Sequence, residues 1–146
     1  MPVFQFRLAP VLRLRERIKE EKEFELRALN LKRTRLEEEI RDLMARGESI
    51  GAAFAESEGR LIEPSELKLQ DEYARLLDKQ VEGKSAALVS LRAPLTEKQQ
   101  ELIEAAREVK SLEILRERLA EKFRHGQNVE EQKFLDELGQ RKFRRQ

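Results

Sequence analysis

Apolar residues recur along the second half of the chain in alternating steps of three and four. The stripe runs from Ala74 through Leu77, Val81, Leu88, Leu91, Leu95, Leu102, Ala105, Val109 and Leu112 to Leu119 and Phe123. Lys84, Lys98 and Arg116 interrupt it. A spacing of this kind, sustained over about seven heptads, predicts a helix that buries one seam in a coiled coil. The first half carries a looser version through Leu8, Val11, Ile18, Leu29, Leu36, Ile40, Leu43, Ile50 and Phe54. Arg15, Lys22 and Arg33 break it, and Leu12, Leu26 and Leu31 lie off it. Pro10 is tolerated within the first turns of such a helix.

Both patterns stop between Glu56 and Ser65, around Gly59. Pro64 suits the first turn of a new helix, with Glu63 extended before it. A connection this short predicts antiparallel neighbours. The expected fold is therefore all-α, a long antiparallel two-helix coiled-coil hairpin forming a single domain over residues 1–146. Helix 1 is expected over about 5–56, a bend over about 57–64, and helix 2 over about 65–125. Pro94 should kink helix 2, because it removes the bond to Ser90. A basic tail over about 126–146 then projects, and Gly126 and Asn128 should fray or bend it.

The hairpin implies a register. If facing residue numbers total about 120, Leu8 meets Leu112, Ile18 meets Leu102, Leu29 meets Leu91 and Leu43 meets Leu77. Phe54 falls opposite Leu67, and Gly47 opposite Ala74 makes a thin spot. Lys22 falls opposite Lys98, so both stems must snorkel outward. An arm of about 50 residues spans about 75 Å.

Composition agrees with this reading. Charged residues make up 40% of the chain and aromatics 5%, with no cysteine or tryptophan. This excludes a disulfide scaffold and disfavours β-sandwiches and barrels. No apolar run approaches the about 18–20 residues of a membrane span, and the start lacks the apolar core of a secretory signal. A cytoplasmic protein is expected.

The net charge of +1 is unevenly spread. Residues 1–19 carry +4 and residues 133–146 carry +3, which leaves −6 for the middle. If the two ends meet, one end of the molecule is cationic. The acidic middle and the lack of interleaved aromatics argue against a nucleic-acid binder. Catalytic chemistry finds no support either. His125 is the single histidine, and no Gly-rich phosphate loop, G-x-S-x-G or H-E-x-x-H motif occurs. No enzyme, metal or cofactor is expected.

The opening Phe4-Gln5-Phe6-Arg7-Leu8-Ala9-Pro10-Val11-Leu12-Arg13-Leu14-Arg15-Glu16 resembles the start of the flagellar export protein FliJ family, in which F-x-F-R-L runs into V-L and R-E. The far end, Glu131-Gln132-Lys133-Phe134-Leu135-Asp136-Glu137-Leu138 followed by Arg141, is similar to the family's terminal E-x-K-x-x-D-E run. Pro94 and the ending Arg144-Arg145-Gln146 depart from the pattern. The resemblance implies a soluble component and general chaperone of the flagellar type III export apparatus, similar to the γ stalk of rotary ATPases. Such a stalk binds the hexameric export ATPase, promotes its assembly and couples it to the cytosolic domain of the membrane export gate. It also handles export chaperones, sits peripherally at the inner membrane of the flagellar base, and is expected to be monomeric alone.

Two surfaces are expected to do this work. The ATPase surface comprises Phe4, Phe6, Arg7, Arg13, Arg17, Phe123, Arg141, Lys142, Arg144 and Arg145, with aromatic and Arg side chains as anchors. Phe4 and Phe6 could instead cap the coil on Phe123 or Leu119. The export-gate surface comprises Phe54, Leu61, Ile62, Leu67, Leu69 and Tyr73, more apolar side chains than two helices hide. The alternatives are the corresponding stalk protein of an injectisome and a purely structural coiled coil.

Overall fold

The computed structural model describes residues 2–56 and 63–144. The fold is an all-α helical hairpin with no strand among the described residues. Its helices are α1 (Ala9–Glu56), α2 (Pro64–Ser90) and α3 (Arg92–Arg144), the last two joined end to end through Leu91. Most of the expected bend, residues 57–62, lies outside the described residues. Two compact units divide the chain: Met1–Lys22 with Leu102–Gln146, and Glu23–Glu101.

Helix 1 starts at Ala9 rather than near residue 5. Residues 2–6 form no helix, and Arg7-Leu8 make a turn. The Ala9 N–H donates to the Phe6 carbonyl at 3.1 Å and the Leu12 N–H to the Leu8 carbonyl at 2.9 Å. Pro10, second in the helix, has an N–H position that would be unpaired anyway. α2 opens on Pro64 with Glu63 extended at φ −63°, ψ 137°, as the proline requires of its predecessor.

Pro94 acts four residues upstream. It cannot bond Ser90, and the helix breaks at Leu91, whose N–H reaches Leu88 at 3.2 Å. α3 then restarts with Pro94 in its first turn, where the missing donor costs little. Leu91 keeps right-handed helical angles (φ −78°, ψ −17°), so the apolar stripe continues and both Leu91 and Leu95 are buried. α3 then runs through Gly126 and Asn128 to Arg144 without interruption.

In the unit of Met1–Lys22 with Leu102–Gln146, the core is Leu12, Ala105 and Val109. The two α3 residues belong to the expected stripe, but Leu12 does not. Leu12 is 4% exposed, against 38% for Leu8 and 40% for Val11. The reason is helical phase. Leu8 precedes the helix, and the stripe that α1 buries steps through 12, 15, 19, 22, 26 and 29, sharing only every other position with the expected one. Arg15 stands in this stripe and reaches Glu108 at 2.7 Å.

In the unit Glu23–Glu101, the core is Leu43, Leu77, Leu91 and Leu95, all on the expected stripe. Lys84 pairs with Glu39 and Lys98 with Glu25, the latter at 2.8 Å. Lys98 also bonds Glu101 at 3.1 Å. Lys98 is thus held by acids instead of snorkelling free. Its hydrogen bond to Glu25, reinforced by the one it donates to Glu101, raises its pKa above the ordinary lysine value.

These pairs define the register. In each interhelical pair (Arg15–Glu108, Glu39–Lys84 and Glu25–Lys98) the two residue numbers total 123. The basic member occupies the stripe and its acid flanks the facing stripe position, so facing residues total about 124. Leu29 then faces Leu95, Leu36 faces Leu88 and Leu43 faces Val81. The offset from the expected total of 120 is one helical turn. Among the described residues no large side chain is sealed completely from solvent, as a two-helix seam without a third layer dictates.

Candidate functional site

In the first unit, the F-x-F opening works by its period of two. Phe4 and Phe6 are half-buried while Gln5 and Arg7 are exposed, the alternation of an extended segment. The Phe4 ring lies 5.7 Å from that of Phe123 at 49°, within the range of favourable aromatic pairs. Phe4 therefore packs on Phe123, and Arg7, Arg13 and Arg17 are exposed along the same N-terminal stretch.

The basic residues of α3 stand elsewhere. Arg141, Lys142 and Arg144 are exposed in its last turn, where cations favour the helix dipole. At 1.5 Å per residue, Arg141 lies about 27 Å beyond Phe123 along α3. The two basic segments thus belong to the same unit but form two patches. Arg145 is outside the described residues.

Sequence reasoning placed Phe134, Leu135 and Leu138 in the terminal family-like run but assigned them to no surface. Phe134 is 62% exposed, Leu135 61% and Leu138 43%. The signal was present, since three apolar residues at this spacing within a charged run make one helix face.

In the second unit, the expected gate residues fall on two faces. Phe54 is half-buried and, with Gly47, Ile50, Leu67 and Ala74, lines a cleft of about 490 Å³ between the end of α1 and the start of α2. Gly47 and Ala74, expected to face each other as a thin spot, both line this cleft, although the observed register sets Gly47 opposite Leu77. Leu69 and Tyr73 point away from it and, with Leu76, line a separate exposed apolar surface on α2. Their spacing of four and three places them on one helix face. Leu61 and Ile62 lie outside the described residues.

His125 is exposed on α3. Among the described residues no three His, Asp or Glu side chains gather as a metal site, and no helix is long and apolar enough to cross a membrane.

These features define an all-α coiled-coil hairpin whose exposed apolar and basic groups gather on helix faces, the class of a helical docking protein. The chain belongs to the flagellar FliJ protein family, whose model matches residues 4–146. Membership makes it a component of the flagellar export apparatus, in which this family is a non-catalytic part. No curated protein and no solved structure matches the chain.

Proposed function

We propose that the protein is the coiled-coil stalk of the export apparatus, docking on the hexameric export ATPase through the unit that joins residues 2–22 to α3. The observation that supports this reading is the Phe4–Phe123 pair. It sets the N-terminal segment against α3, and Arg7, Arg13 and Arg17 are exposed along that segment and the start of α1. Guanidinium groups on a braced scaffold meet the carboxylates of an acidic loop with geometric fit and little ordering cost. Arg141, Lys142 and Arg144 supply a second cationic patch further along α3 for another subunit of a ring.

The remaining roles are assigned to the second unit. Leu69, Tyr73 and Leu76 on α2, with the cleft at Phe54 and Leu67, receive the cytosolic domain of the export gate and export chaperones. The protein reaches the inner membrane only through these partners.

The test is stimulation of the cognate ATPase by the full chain. Reversal of Arg7, Arg13 and Arg17 to Glu is expected to abolish stimulation at physiological salt while helicity is kept. Reversal of Arg141 and Arg144 is expected to weaken it. Undiminished stimulation by the first variant overturns the assignment. Loss of gate binding with intact stimulation is expected from Leu69→Asp with Tyr73→Asp.

A further inference from the structure

Residues 124–144 of α3 continue past Phe123, whose ring pairs with that of Phe4. All of them but Gln127 are exposed. Phe134, Leu135 and Leu138 form an apolar face there with no covering element in their unit. The charges around this face are ordered. Glu130 and Glu131 precede it by one turn, and Arg141 and Lys142 follow it by one turn. Acid first and base last makes the segment complementary to itself reversed, and hostile to itself in parallel.

From this we infer that the end of α3 is a docking face for a second copy of the chain, paired antiparallel about a twofold axis beside Asp136. That axis sets Phe134 and Leu135 of each copy at the level of Leu138 of the other. It also sets Glu130 and Glu131 of each at the level of Arg141 and Lys142 of the other. The contact is isologous, so each attraction occurs twice. It involves about four helical turns per copy, well below a standard interface. The association is accordingly weak and reversible, and the chain is a monomer when dilute. Arg141 and Lys142 belong also to the proposed ATPase surface, so pairing and ring docking by these residues exclude one another.

Sedimentation of the full chain between about 10 and about 500 µM tests this. The mean mass is expected to rise from 17.2 kDa toward twice that value. Glu130→Lys with Glu131→Lys sets basic residues on both sides of the apolar face, and Arg141→Glu with Lys142→Glu sets acidic residues on both sides. Each variant is expected to associate at least about tenfold more weakly, because like charges now oppose. An equimolar mixture of the two restores association. Leu138→Asp abolishes it in every combination. These positions are exposed, so circular dichroism is unchanged. A wild type that stays at 17.2 kDa throughout, or a mixture no heavier than its components, overturns the inference. No ATPase is present in the assay, so its failure leaves the docking proposal standing.

Discussion

Leu12 and Val11 are adjacent apolar residues in the first turn of α1, and the register decides which of them carries the packing. Leu12 is 4% exposed and Val11 40%. Truncation of Leu12 to Ala removes roughly three carbon groups from an almost fully buried site. At about 0.8 kcal/mol each this is about 2.3 kcal/mol. A small cavity term raises it to about 2.5–3 kcal/mol, at the low end of the leucine range because a two-helix seam collapses easily. Val11→Ala removes two groups that are about three-fifths buried, which amounts to about 1 kcal/mol. Urea unfolding of the full chain, followed by circular dichroism at constant m, measures both. A register totalling 120 puts Val11, not Leu12, on the seam. If Val11→Ala costs as much as Leu12→Ala, the assigned phase of α1 is wrong.

Other outcomes follow from single contacts. Arg15→Glu should destabilise the protein by about 0.5–1 kcal/mol and Arg15→Glu with Glu108→Arg should restore it, since both groups are partly exposed; a double variant no better than the single one refutes the pairing. Gly47 and Gly51 lie in α1 with nothing within 4 Å of an added Cβ, so Gly47→Ala and Gly51→Ala should each stabilise by about 0.5–1 kcal/mol in thermal melts. A loss of stability would mean that the cleft needs the bare backbone. Lys98 has a raised pKa in the folded state through Glu25 and Glu101. Its contribution is therefore complete below the ordinary lysine value of 10.5 and declines as pH rises from there through the folded value. The melting-temperature gap between wild type and Lys98→Met should be constant from pH 7 to about 10 and shrink above that.

Several parts of this architecture were legible in the residues alone. Steps of three and four from Ala74 to Val109 could be satisfied only by one helix face, and every buried residue of α2 and α3 lies on that face. Pro64 marked the start of α2 by its backbone chemistry. The residues proposed to dock were legible as types, as arginines and apolar side chains within a charged run. Their grouping was not. The hairpin offered Phe123 or Leu119 as a packing partner for Phe4, and the fold chose Phe123. Arg141 and Arg7 share a cationic character, yet helix rise sets them far apart along α3.

The sequence by itself determined that the chain is helical, that it turns back once, and which face of its second half is buried, because these follow from local periodicity and from proline geometry. The phase of α1 and the register were decided by tertiary structure. A stripe through Leu8 and Val11 and one through Leu12 are nearly equal in local pattern. The choice depends on Arg15, Lys84 and Lys98 each finding a carboxylate beside the facing stripe position, at a common total of 123. Apolar seams tolerate a slip of one turn at small cost, whereas a charge in the seam is stable only where its partner stands.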